Sequence, residues 1–394
     1  MTLVQVAGTN GKGSVSAMLA AILQAAGRRV GLYTSPHLVD LRERIRVDGA
    51  PIPEADVVDG VEALGTLIAR LDATMFEALT ALALDHFAGE GVEVAVLEVG
   101  LGGRLDSTTV GRPAVEVITR IDLDHQTYLG GTLDAIAREK AAIIRSGIAL
   151  SARQEPAVEA EIARRAAGAG VPLLVEGRDL RVRVRRAGLD GQWLELEAPG
   201  WRLDDARCAL LGAFQPGNAL LAVAAARALG VEDGAIREGL GAVRWPGRFQ
   251  LIRRDPPVVV DGAHNPAGAR ALAASLAACF PGRRGTLVVG ISADKDKGGI
   301  MEALLPFAER VICTAASNVR AALPETLAEV ARAAARGRGV RVEIAPSPLE
   351  ALRLALSEPE TPMVCVAGSL FMIGEILAQA TENTDIFSQG ATRG

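Results

Sequence analysis

Gly8-Thr9-Asn10-Gly11-Lys12-Gly13-Ser14 stands between an apolar run at 3–6 and a strongly helical stretch that begins at Val15. Strand, glycine loop and helix in that order make a phosphate cradle: backbone N–H groups and the helix N-terminus face an anion, and Lys12 adds a positive charge. The spacing departs from GxxxxGK[ST], because Val6 occupies the first glycine position and Gly13 separates Lys12 from Ser14. Glu98 lies near the end of a second apolar run, 94–99, and Gly-Leu-Gly-Gly-Arg-Leu-Asp follows at 100–106. At the carboxyl edge of a parallel sheet such a carboxylate faces the ligand crevice, where Mg²⁺ is its natural partner; the alternative is a strand-end Glu paired with Arg104. A third run, 115–119, leads to Asp122, Asp124 and His125, then to a helix starting near Thr132 that carries Glu139 and Lys140. His125 alone reads as a satisfied structural residue; beside the phosphate loop and Glu98 a role as a ligand, or as a residue supporting one, is favoured. Later, Asp261-Gly262-Ala263-His264-Asn265-Pro266 follows a run at 258–260, with Asn265 suited to cap a helix and Pro266 to open it. Asp294-Lys295-Asp296-Lys297 reads as a solvated loop.

These residues need strands that end at a common edge. Short Val, Ile and Leu runs alternate with helical patterns along the chain, further ones falling at 286–289, 311–314, 340–344 and 363–367, as a parallel sheet covered on both faces requires. The expected class is α/β. Residues 178–198 differ: Val and Leu alternate with charged residues and break at Gly188, Asp190 and Gly191, the pattern of an antiparallel hairpin at the edge of the first domain. A turn-forming pair in Arg244-Trp245-Pro246-Gly247-Arg248 marks the domain boundary. The expectation is an N-terminal P-loop domain, 1–245, with a mostly parallel sheet. A smaller, doubly wound α/β domain, 246–380, would follow, with a flexible tail at 381–394.

Composition narrows the function. In 394 residues, 42 Lys plus Arg against 47 Asp plus Glu give a net charge of −5, which argues against a nucleic-acid-binding surface. Hydrophobic residues make up 49%, enough for a core in each of two domains. No run approaches the roughly 18 apolar residues of a membrane span, and residues 1–6 lack the charged start of a signal peptide. A soluble cytoplasmic protein is expected, with Cys208, Cys279, Cys313 and Cys365 reduced and in the core.

The strings GTNGKGS (8–14), TSPHL (34–38), RERI (42–45), TMFEALT (74–80), EVGLGGRLD (98–106), DHQTYLGGTLDAIAREKA (124–141), WPGR (245–248), DGAHNPAGA (261–269) and ADKD (293–296) together resemble the folylpolyglutamate synthase and dihydrofolate synthase family of the Mur ligase superfamily. The resemblance spans most of the chain, in the family's order. It implies an ATP-dependent ligase that joins L-glutamate to a pteroate or folate carboxylate through an acyl phosphate. Gly11, Lys12, Gly13 and Ser14 would then hold the ATP phosphates, and Ser35, Glu98 and His125 would hold Mg²⁺. Lys140 falls on a lysine that the family carries as a carbamate, N6-carboxylysine, able to hold a second Mg²⁺; unmodified, it reads as a helix-surface lysine paired with Glu139 or a neighbour. On this resemblance Lys140, His125 and Glu98 carry the catalysis. Asn218, Arg248 and Asp261, with His264 close by, match the second-domain side of the nucleotide site, which implies closure about 245–248. Met75, Phe76, Glu77 and Asp106 match positions that contact the pterin, although Phe76 reads equally as a core residue. The implied partners are ATP, L-glutamate and dihydropteroate or a reduced folate, with no nucleic acid and no membrane, and the implied state is a monomer.

Three departures stand out. The family usually carries a few dozen residues ahead of the phosphate loop, which leaves either an incomplete pterin pocket or a late start here. Phe214 stands where the family often has His, so no nucleotide contact is assigned to it. Ala142 replaces a common Gly. Two other readings remain: another Mur-type amino-acid ligase, against which TMFEALT and GLGGRLD argue, and a non-catalytic ATP-binding switch, which would have little use for Glu98, His125 and Lys140.

Overall fold

The structure is a computed structural model that describes residues 1–358 and 361–382. Two compact units divide the chain: Met1–Ala209 with Gln215–Arg244, and Leu210–Phe214 with Trp245–Gly394. The second unit therefore includes a short segment that precedes the Pro-Gly boundary.

In the first unit, strands β1 (Thr2–Ala7), β2 (Val30–Tyr33), β3 (Ile45–Val47), β4 (Ala50–Pro51), β5 (Val94–Glu98), β6 (Val115–Ile118), β7 (Ile148–Ser151) and β8 (Leu173–Val175) form one sheet in the order β4-β3-β2-β5-β1-β6-β7-β8. The β2–β3 and β3–β4 pairs are antiparallel and the others parallel. Helices α1 (Lys12–Ala25), α2 (Glu54–Leu71), α3 (Met75–Gly89), α4 (Gln126–Leu129), α5 (Leu133–Ala141), α6 (Pro156–Ala169), α7 (Gln215–Ala228) and α8 (Asp233–Ala242) complete it. Val, Ile and Leu fill β1, β5 and β6 because these central strands are covered on both faces, and every residue of β5 and β6 is buried. Register fixes the functional edge: Val6 lies opposite Glu98 on one side and Val117 on the other. The loops leaving β1, β5 and β6 therefore emerge together. The alternating segment at 178–198 does form a hairpin, but a third strand extends it. β9 (Arg181–Gly188), β10 (Gly191–Ala198) and β11 (Trp201–Cys208) make a separate antiparallel sheet that packs on α7 and α8.

In the second unit β12 (Gln250–Arg254), β13 (Pro257–Asp261), β14 (Gly285–Val289), β15 (Ala308–Cys313), β16 (Arg341–Ile344) and β17 (Val364–Ala367) form a sheet ordered β12-β13-β17-β14-β15-β16, parallel except for β12. Helices α9 (Pro266–Cys279), α10 (Lys297–Leu304), α11 (Pro324–Ala334), α12 (Pro348–Leu356) and α13 (Leu370–Glu382) accompany it. Asn265 caps α9, its side chain accepting the Gly268 N–H at 2.7 Å, and Pro266 opens the helix, as the sequence suggests. Asp296 caps α10 in the same way, so the Asp-Lys-Asp-Lys segment is a helix start rather than a plain loop. Of the segment read as a tail, Thr381 and Glu382 continue α13 and the remainder lies outside the described residues. Cys208, Cys313 and Cys365 are buried, Cys279 is half-buried, and all four are free thiols. Among the described residues no helix is long and apolar enough to cross a membrane.

Candidate active site

The phosphate loop is shaped by glycines where no side chain fits. Gly8 has φ +147°, and a Cβ there would lie 1.9 Å from Thr119 Oγ1. Gly11, the N-cap of α1, has φ +97°, and its Cβ would lie 2.6 Å from Asn218 Oδ1. Left-handed backbone turns the loop so that the first-turn N–H groups of α1, which have no intrahelical partner, open at the sheet edge. Lys12 Nζ folds back to donate to Gly8 O at 3.2 Å and Thr9 O at 3.3 Å. Ser14 is buried, and its Oγ accepts from Gln215 Nε2 at 3.3 Å, while Gln215 Oε1 accepts from Asn218 Nδ2 at 2.9 Å. Asn218 thus belongs to the first unit, on α7 against the phosphate loop, and not to the second-domain side where the sequence reading put it.

Lys140 is buried at 4% exposure, on the last turn of α5, and its Nζ donates to Gly8 O at 2.9 Å. Two lysines therefore meet on one carbonyl. Burial, followed by the nearby Lys12 charge, brings the Lys140 ammonium down to about 7. The alternative of a surface lysine paired with Glu139 does not hold. Glu139 instead takes Arg104 Nε at 2.9 Å, which gives Arg104 a partner other than Glu98, the pairing named as the alternative for that strand end.

Glu98, 5% exposed at the end of β5, accepts the Ser35 N–H at 3.1 Å. Ser35 and Glu98 are thereby neighbours, with the buried Arg44 close enough to act electrostatically on the same region. His125 caps α4 in a left-handed conformation, φ 51°, with Nε2 3.9 Å from Asp124 Oδ2. Among the described residues no group of three His, Cys, Asp or Glu side chains forms a closed metal cage. A serine beside a carboxylate suits Mg²⁺, a hard cation that keeps several waters and leans on substrate phosphates rather than on an all-protein shell.

The four residues matched to the pterin have varied surroundings. Met75 is 62% exposed at the start of α3. Phe76 is half-buried, its ring centroid 5.7 Å from that of Tyr33, and it lies where a Cβ on Gly100 would come within 2.5 Å of its Cζ. Glu77 closes a capping box with Thr74, accepting the Thr74 N–H at 2.8 Å. Asp106 ties its own loop: Oδ2 accepts the N–H groups of Gly100 (3.0 Å) and Leu101 (2.9 Å), and Oδ1 accepts Thr108 N–H at 3.0 Å. Both acids thus hold local structure.

In the second unit, Asp261 ends β13 fully enclosed. Burial pushes its carboxyl up, against the opposing pull of Arg248 and of the Phe249 and Ala263 N–H groups, which reach it at 2.7 and 2.8 Å. Arg248 Nη1 donates to Gly247 O at 3.1 Å, and His264 Nδ1 sits 2.8 Å from Gly262 O. These three residues share the carboxyl end of one strand.

Sequence reasoning missed Gln215, Gln5 and Thr80. Thr80, buried, lies 3.2 Å from Tyr33 OH and 2.8 Å from Ser107 Oγ, linking α3 to the Asp106 loop. No local pattern marks these residues, whereas the Glu77 role was available in the Thr-x-x-Glu signature at 74–77.

A glycine loop opening a helix at the edge of a parallel sheet, with two lysines on one of its carbonyls and a separate α/β unit after it, defines a P-loop nucleotide-binding protein of Mur-ligase architecture. The profile of the Mur ligase middle domain matches residues 6–226, and that of the Mur ligase glutamate ligase domain matches 247–370. A folylpolyglutamate synthase from Lacticaseibacillus casei is 36% identical over 388 residues, covering 95% of this chain and 88% of its own. A dihydrofolate synthase/folylpolyglutamate synthase from Mycobacterium tuberculosis is 38% identical over 352 residues, covering 82% of this chain and 72% of its own. Among solved structures, the M. tuberculosis folylpolyglutamate synthase complexed with ADP and AMPPCP superposes with a TM-score of 0.91 at 37% identity, over 96% of this chain and 90% of that one. The Escherichia coli FolC in complex with DHPP and ADP does so with a TM-score of 0.87 at 33% identity, over 97% and 89%. The chain belongs to the folylpolyglutamate synthase and dihydrofolate synthase family of Mur ligases.

Proposed function

We propose that this chain is an ATP-dependent ligase that joins L-glutamate to the carboxylate of a pteroate or folate. A carboxylate is a poor acyl donor. Its oxygen first attacks the γ-phosphorus of ATP, giving an acyl phosphate and ADP; the glutamate amine then attacks the acyl carbon, phosphate leaves, and the amide forms with loss of a proton. The protein's share is to position the reactants and to stabilise charge on the transferring phosphoryl group. Gly11, Lys12, Gly13 and Ser14 hold the phosphates. Asn218, Arg248, Asp261 and His264 are assigned to the nucleotide. Ser35, Glu98 and His125 hold Mg²⁺, which supplies charge neutralisation at the phosphates. Met75, Phe76, Glu77 and Asp106 are assigned to the pterin pocket, the two acids shaping it through the helix cap and the loop that they hold.

The observation that carries this reading is Lys140 buried on Gly8 O beside Lys12. A second ammonium there would duplicate Lys12, and the site drives Lys140 toward the neutral amine. That amine adds CO₂ with loss of a proton, giving the anionic N6-carboxylysine that can take a second Mg²⁺. The enzyme works as a cytoplasmic monomer, a reading in keeping with its free thiols. The test is phosphate release from ATP with Mg²⁺ present: release should require both glutamate and a pterin carboxylate, and equal hydrolysis without either would overturn the reading.

A further inference from the structure

Gln5 is fully buried on β1, the strand that feeds the phosphate loop, where an apolar residue would ordinarily sit. Its amide is satisfied at both ends. Nε2 donates to Thr109 Oγ1 at 2.8 Å and Thr108 Oγ1 at 3.2 Å, and Oε1 accepts from Arg145 Nη2 at 3.3 Å. Thr109 Oγ1 in turn donates to Gly103 O at 2.7 Å. Gly103 is pressed against the end of α5, so that a Cβ there would meet Glu139 O at 2.9 Å and Lys140 O at 3.1 Å. Its neighbour Arg104 donates its N–H to Glu139 O at 3.0 Å. Lys140 then returns to Gly8 O, three residues beyond Gln5 on the same chain segment.

We propose that this closed circuit, from Gln5 through Thr109 and Gly103 to Lys140 and back to Gly8, sets the height of Lys140 above the phosphate loop, and that Thr109 and Gln5 are positioning residues for the ligase reaction. Arg145 braces the circuit from below. Its guanidinium donates to Gly111 O at 3.2 Å and Val110 O at 3.3 Å, and its N–H goes to Glu116 Oε1 at 2.9 Å. Glu116 pairs in register with Gln5 on the neighbouring strand. Thr109 is the joint with the most leverage, because one hydroxyl both accepts from Gln5 and donates to Gly103. Without that hydroxyl Gly103 O loses its tie to the sheet, while Gln5 keeps the 100–106 loop only indirectly, through Thr108 and Asp106, so the point of the loop that presses on α5 can shift by fractions of an ångström.

The inference rests on the ligase reading, and the experiment separates the two. Steady-state phosphate release, ADP binding and thermal melting are compared for the unmutated chain, Thr109→Val and Thr109→Ser. The valine variant should lose roughly tenfold or more in kcat, the scale on which small misplacements of reacting groups act. Its ADP affinity should stay within about twofold, since the phosphate loop itself is intact. The serine variant, keeping the hydroxyl, should return to within about threefold of the unmutated kcat. A valine variant with unmutated kcat would overturn the proposal, as would a serine variant as poor as valine, or ADP binding that falls in step with kcat. No glutamate-dependent turnover in the unmutated chain would instead sink the ligase reading.

Discussion

Lys140 combines two properties that a lysine seldom has together: it is buried, and it is hydrogen-bonded to a carbonyl that already serves another lysine. Its ammonium, ordinarily near 10.4 in an unfolded chain, comes down to about 7 here. Between those values the unfolded chain binds more protons than the folded one, so this group's contribution to stability rises with pH from about 7 toward 10 and is flat below. Lys140→Met should therefore be most stabilised relative to the unmutated protein at pH 7, with the gap narrowing by pH 9, as read by urea unfolding at the two values. Lys140→Ala should abolish turnover while leaving a cooperative melt, and activity of enzyme stripped of carbon dioxide should return on adding bicarbonate. An unmutated pH trend that Lys140→Met reproduces would refute the titration argument. Gly8→Ala faces left-handed backbone and a clash with Thr119, together about 2 kcal/mol or more, and should be measurably destabilised in urea. The sequence carried the types and order of these residues. It could not carry the burial of Lys140, since a lysine on the last turn of a short polar helix normally reaches water, whereas here its Nζ is turned onto Gly8 O, in the loop that leaves β1.

At the scale of elements, β1, β5, β6, β13, β14, β15 and β17 are legible because they are largely buried and rich in Val, Ile and Leu. The strands β3, β4 and β8 are not, since two or three residues give no period to read, and in β2 and β7 a Gly and a Tyr or an Ala and a Ser interrupt the aliphatic run. The third strand of the small sheet escaped for another reason. The β10–β11 register shifts between Leu194 and Leu196, and Asp205 there takes φ 52°, which breaks the alternation of apolar and polar residues along β11. Helix starts were more readable than helix ends, because caps have residue types. Asn265→Ala should cost about 1 kcal/mol by removing the Gly268 N–H acceptor, a loss visible as a lower urea midpoint with unchanged slope. An unchanged midpoint would mean that the cap is redundant.

For the whole molecule, the ligase reading makes the divalent cation essential to turnover but not to folding, since Glu98 is already held by the Ser35 N–H without it. Chelation should stop phosphate release, Mg²⁺ should restore it, and the melting temperature should move by no more than a few degrees. Loss of the folded state on chelation would contradict this. Side-by-side assays with dihydropteroate and a reduced folate decide which carboxylate is preferred.

The path of the backbone also limits how the protein can be taken apart. Residues 210–214 belong with the second unit although the chain returns to the first for 215–244. That short excursion is anchored by the Ala213 N–H on Ser275 Oγ at 2.9 Å, and Gly212 is packed close to Phe249. A fragment expressed from 245 onward would lack this inserted piece, leave the buried Phe249 uncovered on that side, and be expected to aggregate. Supplying the missing stretch as a peptide, or grafting it back by circular permutation, should restore solubility.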